Sequence, residues 1–237
     1  MSGKLYGLGV GPGDPDLMTL KAVKVLAAVP VIAYIVAKTD DPSKKSLART
    51  IAAPFIGPDR TEIEIPIAML EDAAPGAGIY DRYADVIAGH LDAGRDVAML
   101  CEGDPLLFGS FMYMLGRLRS GYDIETVPGV SSLGAAAAAA GLALVSRRQC
   151  LAVIPATLRR EDLQRRLSGG DAVAIFKVGR HLEKIRGILE DNDRSTGAIF
   201  VERASLPDGR VLPLADVADG SHYFAMILVP ARHGENE

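Results

Sequence analysis

The sequence predicts an α/β protein of two domains, residues 1–124 and 125–237. Three observations carry this. Short β-rich runs alternate with stretches of helical periodicity, the pattern of βα units on a largely parallel sheet. The pattern restarts after residue 127, and nine expected strands divide more readily over two sheets than over one. The chain also turns three times through glycine, each time between an expected strand and an expected helix.

In the first half the expected strands are residues 4–10, 31–36, 62–66, 96–100 and 123–127. Helices are expected at 19–29, 46–53, 80–93 and 109–119. The third of these carries Tyr83, Val86, Ile87 and Leu91 at helical spacing, which gives one apolar face. The run Ala-Ala-Pro-Gly-Ala-Gly at 73–78 reads as a loop or flap. In the second half strands are expected at 151–154, 172–176, 197–201 and 223–229, with helices at 132–140, 160–167 and 182–190. No fixed-period repeat is visible.

Composition bounds the function. The chain has 237 residues, 49% hydrophobic and 24% charged, so it is an ordinary globular sequence and not a disordered or collagenous one. At this size about 70–75% of the unfolded surface is buried on folding, which needs no covalent staples. The formal charge of −4 gives no general attraction to nucleic acid, and no nucleic-acid partner is expected. Cys101 and Cys150 can form neither a disulfide framework nor a four-thiolate zinc site, and the sequence reads as a reduced cytoplasmic protein. His90, His181, His222 and His233 show no metal spacing, so no metal is expected. The N-terminus lacks the pattern of a signal peptide. Residues 126–146 carry no charge and are long enough to span a bilayer, but alanine fills the run and glycines bracket it. That segment reads as a buried, closely packed helix, with no membrane partner.

Charge is concentrated in one place. Residues 147–186 hold ten basic residues (Arg147, Arg148, Arg159, Arg160, Arg165, Arg166, Lys177, Arg180, Lys184 and Arg186) against four acidic ones. They read either as a solvated helix face or as a site for a small anionic substrate, held by charge-assisted hydrogen bonds.

The first glycine turn is Gly7-Leu8-Gly9-Val10-Gly11-Pro12-Gly13-Asp14-Pro15. It is not a dinucleotide fingerprint. Depending on the register, Pro12 or Asp14 occupies the third glycine position, and a carboxylate there repels a pyrophosphate. The acidic residue expected about 20 positions on is also missing, since nothing acidic lies between Asp16 and Asp40. The second turn is Cys101-Glu102-Gly103-Asp104-Pro105-Leu106-Leu107-Phe108-Gly109-Ser110. Asp104 reads as a helix cap or as a carboxylate facing a cationic or hydroxylated ligand. The third is Val127-Pro128-Gly129-Val130-Ser131-Ser132, whose serines offer hydroxyls and N–H groups at a helix start.

Taken in order, these three segments resemble the S-adenosylmethionine-dependent tetrapyrrole methylases of cobalamin and sirohaem biosynthesis, nearly end to end. The resemblance rests on Gly9 to Pro15 with Leu17 and Thr19, on Gly103-Asp104-Pro105 with Phe108-Gly109, and on Pro128 to Ser132. Residues 109–113, 151–157, 177–182, 202–204 and the pair Tyr223-Phe224 are similar to the precorrin-2 C-20 methyltransferases within that family. The resemblance implies two α/β domains with the methyl donor in the cleft between them, and a homodimer. It places donor contacts on Pro12, Glu102, Gly103, Asp104, Leu107, Ser131, Ser132, Val178 and Ala204. Phe108 stands where tyrosine is frequent in the family, and Val178 where some relatives have methionine.

The implied reaction is methyl transfer from the donor's sulfonium to C-20 of precorrin-2, giving precorrin-3A. The conjugated substrate supplies the carbon nucleophile, and the sequence shows no nucleophile-and-base constellation of its own. Asp104 would then bind the donor. Asp14 would face the substrate and help remove a proton, or else cap its turn. Basic residues of the 147–186 cluster, or Lys38, Lys44, Lys45 and Arg49, would orient the substrate's carboxylates. The alternatives are a cobalt-containing substrate, another tetrapyrrole or other methyl acceptor, a dinucleotide-dependent oxidoreductase, and a non-catalytic tetrapyrrole carrier.

Overall fold

The structure is a computed structural model that describes residues 2–37, 46–67, 77–218, 220 and 223–232. The chain divides into two compact units, Met1–Ser132 and Leu133–Glu237.

The first unit is built on five parallel strands. These are β1 (Leu5–Gly9), β2 (Val31–Ala37), β3 (Thr61–Ile67), β4 (Val97–Cys101) and β5 (Ile124–Val127), in the order β3-β2-β4-β1-β5. The helices are α1 (Leu20–Ala28), α2 (Leu47–Ala52), α3 (Ala77–Asp92) and α4 (Phe111–Leu118). β4 is buried along its whole length, as a central parallel strand covered on both faces must be. Its alternating side chains serve two cores. Val97, Met99 and Cys101 pack under α3 and α4 with Tyr80, Ile87, Leu91, Phe111 and Met114. Ala98 and Leu100 pack on the other face with Leu26 of α1 and Ala48 and Ile51 of α2. Gly7 makes room for one of these helices, because a Cβ there would stand 2.2 Å from the Phe111 ring.

Helix starts follow local chemistry. The Thr19 hydroxyl accepts from the Ala22 N–H ahead of α1, and the Ser46 hydroxyl accepts from the Arg49 N–H ahead of α2. Residues 77 and 78, expected as loop, open α3 instead. Residues 73–76 of that expected loop lie outside the described residues, as do Lys38, Lys44, Lys45, His222 and His233.

The second unit departs from the expected parallel sheet. Its strands are β6 (Leu151–Pro155), β7 (Ala172–Phe176), β8 (Ile199–Glu202), β9 (Arg210–Pro213) and β10 (Ala225–Val229), in the order β6-β7-β10-β8-β9. Only β6 and β7 pair in parallel, while β10 runs antiparallel between β7 and β8, and β9 pairs antiparallel with β8. Helices α6 (Arg160–Leu167) and α7 (Leu182–Asp191) cover one face through Leu163, Leu167, Ile185, Ile188 and Leu189. Helix α5 (Ser132–Ala140) contributes Leu133, Ala136 and Ala140 to the cluster with Phe176, Val201, Met226 and Leu228. α5 is not buried all round: Ala135 and Ala136 are buried, whereas Gly134, Ala138 and Ala139 are exposed. Among the described residues no helix is long and apolar enough to cross a membrane.

A buried arginine closes this unit. The Arg194 guanidinium is 3% exposed and donates to the carbonyls of Leu167, Gly169, Asp171 and Pro230. It gathers the chain after α6, the approach to β7 and the exit from β10.

Candidate active site

Strand order brings the three glycine turns together. β1 lies between β4 and β5, so their carboxyl ends are adjacent. The chain leaves β1 for α1 on one face of the sheet and leaves β4 for α4 on the other. The space outside β4 and β1 is therefore a switch point, where open α/β sheets place their ligands.

The turns touch through bare backbone. The Val10 N–H donates to the Cys101 carbonyl at 3.0 Å, and the Gly103 N–H donates to the Gly11 carbonyl at 2.7 Å. A Cβ on Gly9 would lie 2.6 Å from the Gly129 nitrogen, and one on Gly129 would lie 2.1 Å from the Gly103 oxygen. No side chain fits at either place. Gly103 adopts φ 63°, in the left-handed region that favours glycine.

Asp104 ties the second turn to the third. Its Oδ1 accepts from the Leu106 N–H at 2.9 Å, and its Oδ2 accepts from the Gly129 N–H at 3.1 Å. It is not the cap of α4, whose N-cap is Ser110. Glu102 is half-buried and accepts from the Ala48 N–H at 3.2 Å, near the start of α2. Burial pushes its carboxyl above the usual carboxylate range, against the two backbone N–H groups that favour its charge. Asp14 accepts from the Asp16 N–H at 2.9 Å and so caps its own turn. Burial also pushes the Cys101 thiol up, which leaves it a core residue and not a nucleophile.

Pro12, Glu102, Gly103, Asp104, Ser131 and Ser132 thus belong to turns at one edge of the first sheet, and Leu107 follows in the turn closed by its N–H on the Asp104 carbonyl. Val178 and Ala204 belong to the second unit. The Val178 side chain is fully buried in that unit's core, its N–H donates to Ala225 and its carbonyl accepts from His181. Ala204 is half-buried between Arg203 and Ser205, both of which have positive φ. The tie from Asp104 to Gly129 was missed from the sequence, although the glycine in each turn signalled a close approach.

Much of the basic cluster is engaged within the unit itself. Arg159 and Arg165 pair with Asp162, Arg160 pairs with Asp191, and Arg186 pairs with Glu183. The Lys184 ammonium donates to the Ala156 and Leu158 carbonyls at 2.6 and 3.0 Å. Arg147, Arg148 and Arg166 are exposed without a partner among the described residues. In the first unit Arg49 is committed to Glu62 by two hydrogen bonds, at 3.0 and 2.9 Å.

The three turns contain no lysine or arginine, but they contain Asp14, Glu102 and Asp104. Such a site suits a ligand with positive charge and hydroxyls, and it repels a pyrophosphate. Among the described residues no three His, Cys, Asp or Glu side chains are grouped as metal ligands.

Comparison with known proteins decides the family. The profile of the tetrapyrrole (corrin/porphyrin) methylases matches residues 4–218. The chain belongs to the tetrapyrrole methylases. Among curated relatives, the cobalamin biosynthesis protein CobIJ of Mycobacterium tuberculosis strain H37Rv is 42% identical over 96% of this chain and 46% of its own length. This methylase chain therefore spans about half of that relative. A precorrin-2 C(20)-methyltransferase of Sinorhizobium is 38% identical over 96% of this chain and 95% of its own. The cobalt-precorrin-2 C(20)-methyltransferase of Salmonella typhimurium is 30% identical over 97% of each.

Two solved tetrapyrrole methylases share the fold. Cobalt precorrin-4 methyltransferase CbiF has a TM-score of 0.77 at 27% identity, covering 96% of this chain and 94% of that one. Uroporphyrin-III C-methyltransferase of Thermus thermophilus, complexed with S-adenosylhomocysteine, has a TM-score of 0.67 at 26% identity, covering 96% and 92%.

Proposed function

We propose that this methylase transfers a methyl group from S-adenosylmethionine to C-20 of precorrin-2, giving precorrin-3A in corrin-ring biosynthesis. The observation that carries the reading is the meeting of Gly9, Gly103 and Gly129, in turns whose sequence holds three carboxylates and no lysine or arginine. That cradle fits a cationic donor with ribose hydroxyls. The likeness to the Sinorhizobium enzyme supports the choice of substrate and carbon.

When bound, S-adenosylmethionine supplies an electrophilic methyl on a sulfonium. The backbone of Pro12, Glu102, Gly103 and Leu107 shapes the cradle for it. Asp104 offers its remaining acceptor positions to the ribose, and Ser131 and Ser132 close the third side. The family resemblance further assigns donor contacts to Val178 and Ala204, and in this reading the enzyme acts as a homodimer. Asp14 caps its own turn through the Asp16 N–H, and in this reading it is also the carboxylate of the first turn on the substrate side. Holding carbon, methyl and sulfur in line contributes about 7–11 kcal/mol of barrier lowering.

The substrate carries many carboxylates. Exposed arginines of the second unit orient them, with Arg147, Arg148 and Arg166 the available candidates. The Salmonella relative favours a second reading, in which the substrate already holds cobalt.

Incubation with methyl-labelled donor and either metal-free or cobalt-containing substrate, followed by NMR of the product, tests both. Label on C-20 of the metal-free ring is the expected result. Turnover of the cobalt ring alone selects the second reading, and label on another carbon overturns both.

A further inference from the structure

We propose that Arg203 is a positioning residue for the methyl donor: paired with Asp208, it holds residues 203–205 in the left-handed form that presents Ala204 to the donor. This rests on the donor reading above. Among the described residues, six besides glycine have positive φ, namely Phe108, Arg147, Lys177, Asp193, Arg203 and Ser205. Four of them adjoin residues assigned to the donor. Phe108 follows Leu107, Lys177 precedes Val178, and Arg203 and Ser205 flank Ala204. A left-handed arginine or serine costs free energy that glycine would avoid, and it persists only where its surroundings over-determine it. Such residues collect at ligand clamps.

The loop at 203–209, which joins β8 to β9, is over-determined in this way. The Arg203 N–H donates to the Phe224 carbonyl at 2.8 Å, which fixes the first residue of the loop to the chain entering β10. The Arg203 carbonyl accepts from the Leu206 N–H at 3.0 Å, and the Leu206 carbonyl accepts from the Gly209 N–H at 2.9 Å. A Cβ on Gly209 would stand 2.7 Å from the Arg203 oxygen, so the loop closes on itself with no space to spare. The Arg203 Nε donates across the loop to Asp208, 2.9 and 2.8 Å from its two carboxylate oxygens. At the base of the loop, buried Glu202 accepts from the Arg210 guanidinium across the β8–β9 pair.

Ala204 is thereby fixed between two kinked residues. It is half-buried against the cluster that includes Phe176 and Val201, to which Leu133 of α5 also belongs. It brings no charge or hydroxyl, so what it can offer a donor is a small apolar surface and a fixed backbone. Such contacts gain affinity when the backbone is held before the ligand arrives, because ordering a loop on binding costs conformational entropy. A hairpin alone would be served at position 203 by glycine or asparagine, without strain. The arginine there is explained by its pair with Asp208. That pair is partly exposed, so it adds little to the stability of the fold, and what it supplies is shape.

Calorimetry with S-adenosylhomocysteine, beside a thermal melt of the whole chain, tests this. Arg203→Gly removes the pair and relieves the left-handed backbone. It should melt no lower than the wild type and bind S-adenosylhomocysteine about tenfold more weakly. Arg203→Asp and Asp208→Arg should each weaken binding, since like charges then face each other across the loop. The double variant restores the pair with its charges exchanged and should regain most of the lost affinity. This exchange separates holding the loop from touching the donor, because it leaves no arginine at position 203. Wild-type affinity in R203G, or a double variant that binds no better than the single ones, overturns the proposal. If R203G does not fold, Asp208→Asn, at a largely exposed position, must bind more weakly than the wild type, and equal affinity overturns the proposal. Failure of the wild type to bind S-adenosylhomocysteine removes the donor reading and the positioning role together, whereas unchanged affinity in R203G beside a wild type that binds removes the positioning role alone.

Discussion

At the scale of residues, the site depends on where a side chain cannot be. A Cβ on Gly129 would press into the Gly103 carbonyl, while one on Gly103 meets nothing closer than 3.5 Å. The two glycines should therefore answer differently to substitution. Gly103→Ala suffers only its φ of 63°, a cost of about 1–2 kcal/mol. Gly129→Ala must push the third turn off the second, so thermal melts should show the larger loss for G129A, and titration should show donor binding abolished in it. Equal melts would mean that the turns yield. Asp104→Ala should weaken donor binding by about 1.5–3 kcal/mol, the range for hydrogen bonds to a charged group. Calorimetry with unchanged affinity would leave Asp104 as the tie to Gly129 and nothing more. The positions of these residues were legible in the sequence, because glycine followed by proline or an acid after a strand marks a turn with work to do. The tie itself was not, because it spans 25 positions and exists only once β4 and β5 flank β1.

At the scale of elements, the edge strand β5 is held by charge. Glu125 pairs with Lys4 at 2.8 Å and with Lys21 of α1, and the two ammonium groups hold its carboxyl down to about 2. A depressed carboxylate stabilises the fold above its unfolded value near 4.5 and loses that contribution as pH falls toward 2. Wild type should therefore melt above Glu125→Gln at neutral pH, and the gap should close between pH about 4.5 and 2. A gap that does not change with pH would contradict this.

Arg194 is the corresponding pin of the second unit. Arg194→Ala leaves the carbonyls of Leu167, Gly169, Asp171 and Pro230 without their shared donor and should cost about 3 kcal/mol, read from denaturant unfolding. Nothing in the sequence singled it out, since one arginine after a helix looks like any other.

The parallel first sheet was legible from its buried apolar runs alternating with helices. The second was misread for two reasons. β9 is four residues, mostly exposed and ending in proline, so it carries no alternation. β10 is apolar throughout and buried, which fixes neither its direction nor its place between β7 and β8.

At the scale of the whole molecule, the account turns on what the three turns bind. The glycine-rich opening invites a dinucleotide, and the fold class alone would allow one. Pro12, Asp14 and the absence of any basic residue from the turns argue for a cationic methyl donor instead. The most direct measurement compares S-adenosylhomocysteine with NAD and NADP in a thermal melt at equal concentrations. A ligand at a hundred times its dissociation constant adds about 2.7 kcal/mol to the folded state. For a chain of this size that raises the melting midpoint by roughly 5–11 °C. The account predicts such a rise with S-adenosylhomocysteine and almost none with either dinucleotide. A rise with NAD and none with S-adenosylhomocysteine would contradict the assignment of all three turns.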